Sequence, residues 1–217
     1  VKTISIKKIN IKKIKIVRPM LLAVMALLSL TAQAVTLDEL QQRFSSQPVV
    51  RADFTQMRQI KGMAQPLKSS GAMLIARQKG LWWHQAKPFP MTLVLDDQRM
   101  VQVMNGQPPQ IVTAESQPQM FQFNHLLRAL FQADRQVLEQ NFRVDFNDLG
   151  QQRWRLVLTP KVSPLDKLFN AITLNGQAFL DEIVIDDRQG DMTRIILSNQ
   201  RITPQALSDD EQNRFVF

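Results

Sequence analysis

From Val49 onward the chain is built of short runs in which every second residue is apolar, separated by turn-forming residues, and this pattern commits it to a sheet. Phe142, Val144 and Phe146 alternate with Arg143, Asp145 and Asn147, and Trp154, Leu156 and Leu158 alternate with Arg153, Arg155 and Thr159. A period of two sends each apolar set to one face, so each run is a strand that is buried on one side and wet on the other. Turn residues recur at Lys61-Gly62, Asp96-Asp97, Asn105-Gly106, 147–150, Asn175-Gly176 and 188–190, a spacing that predicts an antiparallel meander. Asn175-Gly176 predicts a type I′ hairpin between residues 171–174 and 179–185, because both positions tolerate positive φ. Residues 192–202 are expected as a further strand and 215–217 as a last short one.

Three segments break the period. Thr36 and Glu39 have capping-box spacing before Leu40 and Phe44, which share a helical face, so residues 36–44 are expected as a short amphipathic helix. In residues 119–133, Met120, Phe123, Leu127, Leu130 and Phe131 recur at helical spacing while Gln122, Arg128 and Gln132 fall on the polar side. A second short helix is expected with Ser163 as N-cap and Pro164 at its first position, followed by Leu165, Leu168 and Phe169. The expected fold is therefore mainly β with a few helices, α+β in the broad sense: a curved antiparallel sheet with helices over one end or its concave face. No repeat, linker or change of composition divides residues 35–217, which are expected to form a single domain.

The formal net charge of +8 suggests nucleic acid until its location is considered. Lys2, Lys7, Lys8, Lys12, Lys13, Lys15 and Arg18 supply seven of those charges, with no acidic residue among them. Met20 opens an apolar run of 11 residues, MLLAVMALLSL, too short for a membrane span of about 20 residues. Ala32 and Ala34 then give the small-x-small pattern of a cleavage site. This order is expected of a secretory signal peptide over residues 1–34, which predicts export and removes the basis for nucleic-acid binding.

The sequence supplies little for catalysis. It has no cysteine, which excludes thiolate nucleophiles, thiolate metal sites and the lipid-bearing residue of a lipoprotein, and it has only two histidines, His84 and His125. No G-x-S-x-G, H-E-x-x-H, P-loop or G-x-G-x-x-G motif occurs. The carboxylate pairs Asp96-Asp97, Asp186-Asp187 and Asp209-Asp210 lie in polar turns, where aspartate serves local hydrogen bonds. The expectation is a non-enzyme without cofactor or metal. What the chain does have is oily: 12 Phe, 3 Trp, 10 Met and no Tyr, side chains that fill a core or line an adaptable apolar site. On one parity Gly71, Met73 and Ile75 end in Arg77, and if the register holds across the following turn, Leu81 and Trp83 continue the same side. Arg77 then either snorkels into solvent or stands at a cavity mouth, where its five donors can hold backbone carbonyls.

Ala52-Asp53-Phe54-Thr55-Gln56, Ser70-Gly71-Ala72-Met73-Leu74-Ile75-Ala76-Arg77, Gly80-Leu81-Trp82-Trp83, Pro88, Leu93-Val94-Leu95-Asp96-Asp97 and Leu158-Thr159-Pro160-Lys161, in this order, resemble the LolA family of periplasmic outer-membrane lipoprotein carriers. The resemblance extends from about Thr36 to Phe217. It implies an incomplete, strongly bent antiparallel β-barrel covered by a lid of helices, with an apolar cavity that receives acyl chains. It further implies that Arg77 bonds to lid-helix carbonyls in the closed state, that Leu81 and Trp83 lie on the cavity side, and that residues 120–131 form a lid helix. By parity Phe54, Leu93, Phe123, Leu127 and Leu130 are the other candidate lipid contacts. The implied partners are an acylated lipoprotein, an inner-membrane donor complex and an outer-membrane acceptor, with the carrier itself a monomer. Leu81 stands where the family has a bulkier residue and Trp82-Trp83 doubles the tryptophan, which leaves room for another acylated cargo such as a glycolipid or a polyene lipid. An envelope scaffold with a solid core, and a hydrolase using His84 or His125 with an aspartate, are the two alternatives from other classes.

Overall fold

The computed structural model describes residues 34–113, 115, 116, 129, 131 and 133–217. Eleven strands form one antiparallel sheet: β1 (Val49–Gln59), β2 (Leu67–Ala76), β3 (Gly80–Lys87), β4 (Met91–Leu95), β5 (Arg99–Met104), β6 (Gln110–Thr113), β7 (Phe142–Asp148), β8 (Trp154–Pro160), β9 (Phe169–Gly176), β10 (Leu180–Asp187) and β11 (Met192–Arg201). Their order is β6-β5-β4-β3-β2-β1-β11-β10-β9-β8-β7. The chain thus lays down two meanders, and pairing of the first strand with the last joins them. The edge strands β6 and β7 do not pair with each other, so the barrel is incomplete, as expected.

Curvature follows from what shares a core. Leu95 of β4 and Phe142 of β7 belong to the same buried cluster, although eight strand spacings separate them in the sheet. At about 4.8 Å per strand they would lie about 38 Å apart in a flat sheet, so the sheet must curl around them. The alternation expected from sequence holds: Phe142, Val144 and Phe146 pack against this cluster, and Trp154, Leu156 and Leu158 are within it. Val144 pairs with Leu158 and Phe146 with Leu156, which sets the two rows side by side.

Helices cover the inner face. Helix α1 (Leu37–Ser45) begins with the expected capping box, in which the Thr36 hydroxyl accepts from the Glu39 amide at 3.2 Å and the Glu39 carboxylate accepts from the Thr36 amide at 3.0 Å. Its Leu40 is fully buried in the sheet's core, with Leu37 and Phe44 packed beside it. Helix α2 (Arg135–Asn141) was not foreseen from the sequence. The Asp134 carboxylate caps it by accepting from the Val137 amide at 3.2 Å, and Leu138 buries completely in the same core. Arg135 ties α2 to α1: its side chain reaches Asp38 at 2.9 Å and its amide donates to the Gln41 side chain at 3.2 Å. Of the helix expected over residues 119–133, only Ala129, Phe131 and Ala133 are described. Ala129 and Phe131 are helical, whereas Ala133 turns into the left-handed region at φ 49°, and the chain breaks there before α2.

Three local expectations are corrected. Strand β9 runs through Asn175 and Gly176, and the turn falls at residues 177–179. Gly176 is needed in the strand because a Cβ there would stand 2.4 Å from Trp154 Cζ2 and 2.0 Å from the Phe179 carbonyl oxygen. Ser163 does not cap the short helix α3 (Leu165–Leu168): Pro164 occupies the cap position without a side-chain hydrogen bond, and Phe169 already begins β9. Residues 215–217 do not form a strand. After β11 the chain makes helix α4 (Asp209–Asn213), capped reciprocally by Ser208 and Glu211, and lies on the outer face of the sheet. There Phe215 buries with Val49, Leu74, Ala76, Val94 and Val101. Arg51, itself buried, holds this segment: it contacts Glu211 at 2.6 and 2.7 Å and donates to the carbonyls of Pro204 at 2.8 Å and Ala206 at 3.1 Å.

Candidate functional site

The turn 77–79 returns the chain from β2 to β3 with Ile75 opposite Leu81 and Met73 opposite Trp83. The alternation therefore continues across the turn, and these four side chains face the inner side. One strand away Phe54 of β1 stacks on Trp83, with ring centroids 3.7 Å apart, and Leu93 of β4 pairs with Trp83 from the other side. Phe54, Leu81, Trp83 and Leu93 are thus brought together as one part of the inner face. That part is filled: Phe54 and Leu81 are buried, and Trp83 and Leu93 pack partly buried against them.

The empty part lies beyond Met73, toward the end of the strands that carries Arg77. A cavity of about 320 Å³ opens there among the C-terminal end of α1, the beginnings of β1 and β10 and the ends of β2 and β11. Nine of its 13 lining residues are apolar, and Phe44, Val50, Ala52, Met73, Ile75 and Leu197 form its walls. The space exists partly because Ala52, the small residue of the inward row Val50, Ala52, Phe54, stands opposite Met73. It exists also because the β1–β11 pairing carries a bulge: Arg51 pairs with Arg201 but Asp53 with Ser198, leaving Asn199 at φ 52°. The bulge shifts the parity of β11 and turns Gln200 toward the cavity, where its amide donates to the Leu180 carbonyl at 3.0 Å and to Asp181 at 3.1 Å. Partial burial raises the Asp181 carboxyl above its usual range, while the Gln177 and Gln200 hydrogen bonds act in the opposite direction.

One end of α1 is pinned beside this cavity. The Gln177 carbonyl accepts from Arg43 at 2.9 Å and from the Trp154 indole at 3.0 Å, and Phe44 meets Trp154 edge-on at 5.9 Å. Arg77 is exposed on its turn and lines the cavity edge, and its amide donates to the Pro48 carbonyl at 3.0 Å, which ties the turn to the α1–β1 connection. Among the described residues its guanidinium makes no hydrogen bond. Phe123, Leu127 and Leu130 lie outside the described residues, whereas Phe131 of the same stretch lines the cavity.

Val50, Ala52 and Leu197 were missed as wall residues although their parity is that of Phe54 and its partner strand. Phe179 and Leu180 also line the cavity, and no signal could have found them while the hairpin was placed two residues early. The polar residues considered for catalysis have structural tasks. His84 Nδ1 lies 2.9 Å from the Thr92 hydroxyl, and its ring stacks on Trp82. Asp96 accepts from the amides of Gln98 and Arg99, and Asp187 from those of Gln189 and Asp191. His125 lies outside the described residues.

Residues 29–213 match a family model described as outer membrane lipoprotein carrier protein LolA-like. Among solved structures, a LolA superfamily protein from Nitrosomonas europaea is similar at 10% identity and a TM-score of 0.45, over 82% of this chain and 97% of that one. A putative outer membrane lipoprotein-sorting protein domain from Vibrio parahaemolyticus is similar at 10% identity and a TM-score of 0.44, over 81% of this chain and 95% of that one. No curated protein matches.

Proposed function

The chain belongs to the outer membrane lipoprotein carrier LolA-like family, and from that premise we propose that it is a non-enzymatic periplasmic carrier that shields acyl chains of a lipoprotein or related acylated lipid between the two membranes. Residues 1–34 act in this reading as its secretion signal. The observation that carries the proposal is the apolar cavity between α1 and the inner face of β1, β2 and β11, with Arg77 at its edge. An acyl chain gains about 0.8 kcal/mol per buried methylene, so its transit through water requires a concavity of this chemistry.

At about 320 Å³ the cavity is at the lower end of ligand pockets, which span about 300–1,000 Å³. A cargo with two or three chains therefore requires the helices over the inner face to move. The ion pair between α1 and α2 does not oppose such movement strongly: Arg135–Asp38 is exposed, and solvent screens a pair of that kind. In this reading Arg77 is the latch: its guanidinium stands exposed at the cavity edge, where its five donors can take helix carbonyls in a closed state and leave them when cargo enters.

The test is titration of the purified protein with a fluorescent fatty acid. Saturable binding, displaced by an unlabelled acyl chain, is expected; an envelope scaffold with a solid core would give no saturable signal, and that result would overturn the proposal. Native mass spectrometry of protein isolated from the periplasm then identifies the cargo, since a lipoprotein and a glycolipid differ clearly in mass.

A further inference from the structure

We propose that the loops at the end of the sheet opposite Arg77 form a surface that docks on an anionic phospholipid bilayer. Antiparallel order puts the β1–β2, β3–β4, β8–β9 and β10–β11 connections at this one end, whereas the 77–79 turn and the cavity lie at the other. Each of these connections presents a large apolar side chain to water at its tip or flank: Met63 and Leu67, Phe89, Leu168, and Met192. Phe89 is 77% exposed in the sequence Lys87-Pro88-Phe89-Pro90, the most exposed of the large apolar side chains among the described residues. Single exposed apolar residues are ordinary, but their recurrence on four connections of one rim is not.

Three of these connections are bound into one surface. Gln59 pairs with Met192 and donates to the Met63 carbonyl at 2.7 Å; the Lys61 amide donates to Asp191 at 2.9 Å; the Arg188 amide donates to the Leu168 carbonyl at 2.9 Å. The β3–β4 connection follows on the next hairpin, where Lys87 pairs with Ser70 of β2 and Gln85 donates to the Phe89 carbonyl at 2.9 Å.

Charge selects the occupant. Lys61, Lys68, Lys87, Lys167 and Arg188 are exposed around the apolar residues. The acidic groups of the same loops face the protein instead: Asp191 is buried and paired with Arg58 at 2.9 Å, Asp187 accepts backbone amides, and Asp186 accepts from Asn170. A rim with outward cations and apolar tips and inward carboxylates fits a bilayer that offers anionic head groups over a hydrocarbon interior. Docking by this rim leaves the Arg77 end and its cavity uncovered.

The experiment is flotation of the purified protein with vesicles of phosphatidylethanolamine and phosphatidylglycerol, against vesicles of phosphatidylcholine alone. Co-flotation with the anionic vesicles only, weakened by high salt, is expected. Phe89→Ser should weaken it about tenfold, from the lost burial of one phenyl ring. Lys61→Gln and Lys87→Gln should each weaken it about fivefold, the effect of one surface cation near an anionic leaflet. Fatty-acid binding without vesicles should be unchanged in all three variants, which shows that they are folded and separates this surface from the cavity; failure of the wild type to bind fatty acid would count against the carrier reading alone. No flotation of the wild type, or flotation indifferent to Phe89→Ser and to both lysine changes, would overturn the docking surface. So would loss of self-association in Phe89→Ser with no vesicle binding by either protein, which would make the rim a contact between copies.

Discussion

The Phe54 and Trp83 rings stack at 3.7 Å and 24° across β2, the strand that separates them. Phe54 sits opposite Gly71 on β1, and Gly71 sits opposite Gln85 on β3, two residues from Trp83. A Cβ at Gly71 would run into the backbone of β3, 1.8 Å from the His84 carbonyl oxygen and 2.9 Å from Gln85 Cα. Its absence lets β2 and β3 come this close, and the stacked Phe54–Trp83 pair fills the concavity at that level. The cavity opens beyond Met73. The stacked pair therefore marks where the packed portion of the inner face ends and the portion that can admit a ligand begins.

Gly71→Ala should consequently be among the most damaging single-methyl additions in the protein. The new Cβ would lie 1.8 Å from the His84 carbonyl oxygen, a backbone atom that cannot rotate away. Overpacking costs about 1–3 kcal/mol when side chains can adjust, and here the loss should reach about 3 kcal/mol or more. Urea unfolding followed by tryptophan fluorescence measures it; a loss under about 1 kcal/mol would mean that the strands do not cross so closely.

Acid should release the C-terminal segment from the outer face. The Arg51 guanidinium lowers the Glu211 carboxyl from its usual 4.5 to about 2, against the effect of partial desolvation. Because the folded value is the lower one, the stabilisation is fully present above the unfolded value and fades as pH falls from about 4.5 toward 2. Hydrogen exchange in residues 202–214 should accelerate in that window. Glu211→Gln should show the fast exchange already at neutral pH, at a cost of about 1.5–3 kcal/mol for the charged hydrogen bonds. Exchange rates in Glu211→Gln equal to wild type would remove Arg51 as the anchor.

The fold was legible where a local rule decided it and obscure where a distant contact did. Thr36 and Glu39 announced α1 because a capping box is complete within four residues. The rows at Phe142 and Trp154 announced their strands because period two is local. Asn175-Gly176 misled because glycine has two uses, and here close approach to Trp154 overrode turn chemistry. Helix α2 was missed because only Leu138 of its residues is fully buried, which leaves almost no periodic signal. The site divides the same way. The inward side of Leu81 and Trp83 followed from parity through one turn, although they pack rather than line the cavity, whereas Gln200 reached the cavity through a bulge that no pattern in β11 foretells.

Replacing Arg77 by leucine should change how the cavity opens and closes rather than whether the protein folds. The side chain is exposed at the cavity edge, and its removal disturbs no hydrogen bond among the described residues. Stability should stay within about 0.5 kcal/mol of wild type. The proposed latch role requires faster loading and slower release of a fluorescent acyl chain in stopped-flow exchange, because the leucine cannot hold helix carbonyls and the apolar edge grows. Unchanged loading and release would remove Arg77 from the mechanism.

Filling the cavity should abolish acyl binding without unfolding the protein. Ile75 projects from β2 into the empty part, is half-buried, and is clear of the Phe54–Trp83 stack. In Ile75→Trp the indole should occupy much of the 320 Å³ now open. The added ring has space to enter, so the variant should avoid most of the 1–3 kcal/mol that overpacking costs, whereas the acyl chain loses the apolar walls that bind it at about 0.8 kcal/mol per methylene. Excluding two methylenes already costs about 1.6 kcal/mol, more than tenfold in affinity. Fatty-acid titration and thermal unfolding of the same preparation separate the two effects. Wild-type affinity in a folded Ile75→Trp protein would place the ligand elsewhere on the inner face, against Leu81 and Leu93, and would require the packed half of the concavity to open instead.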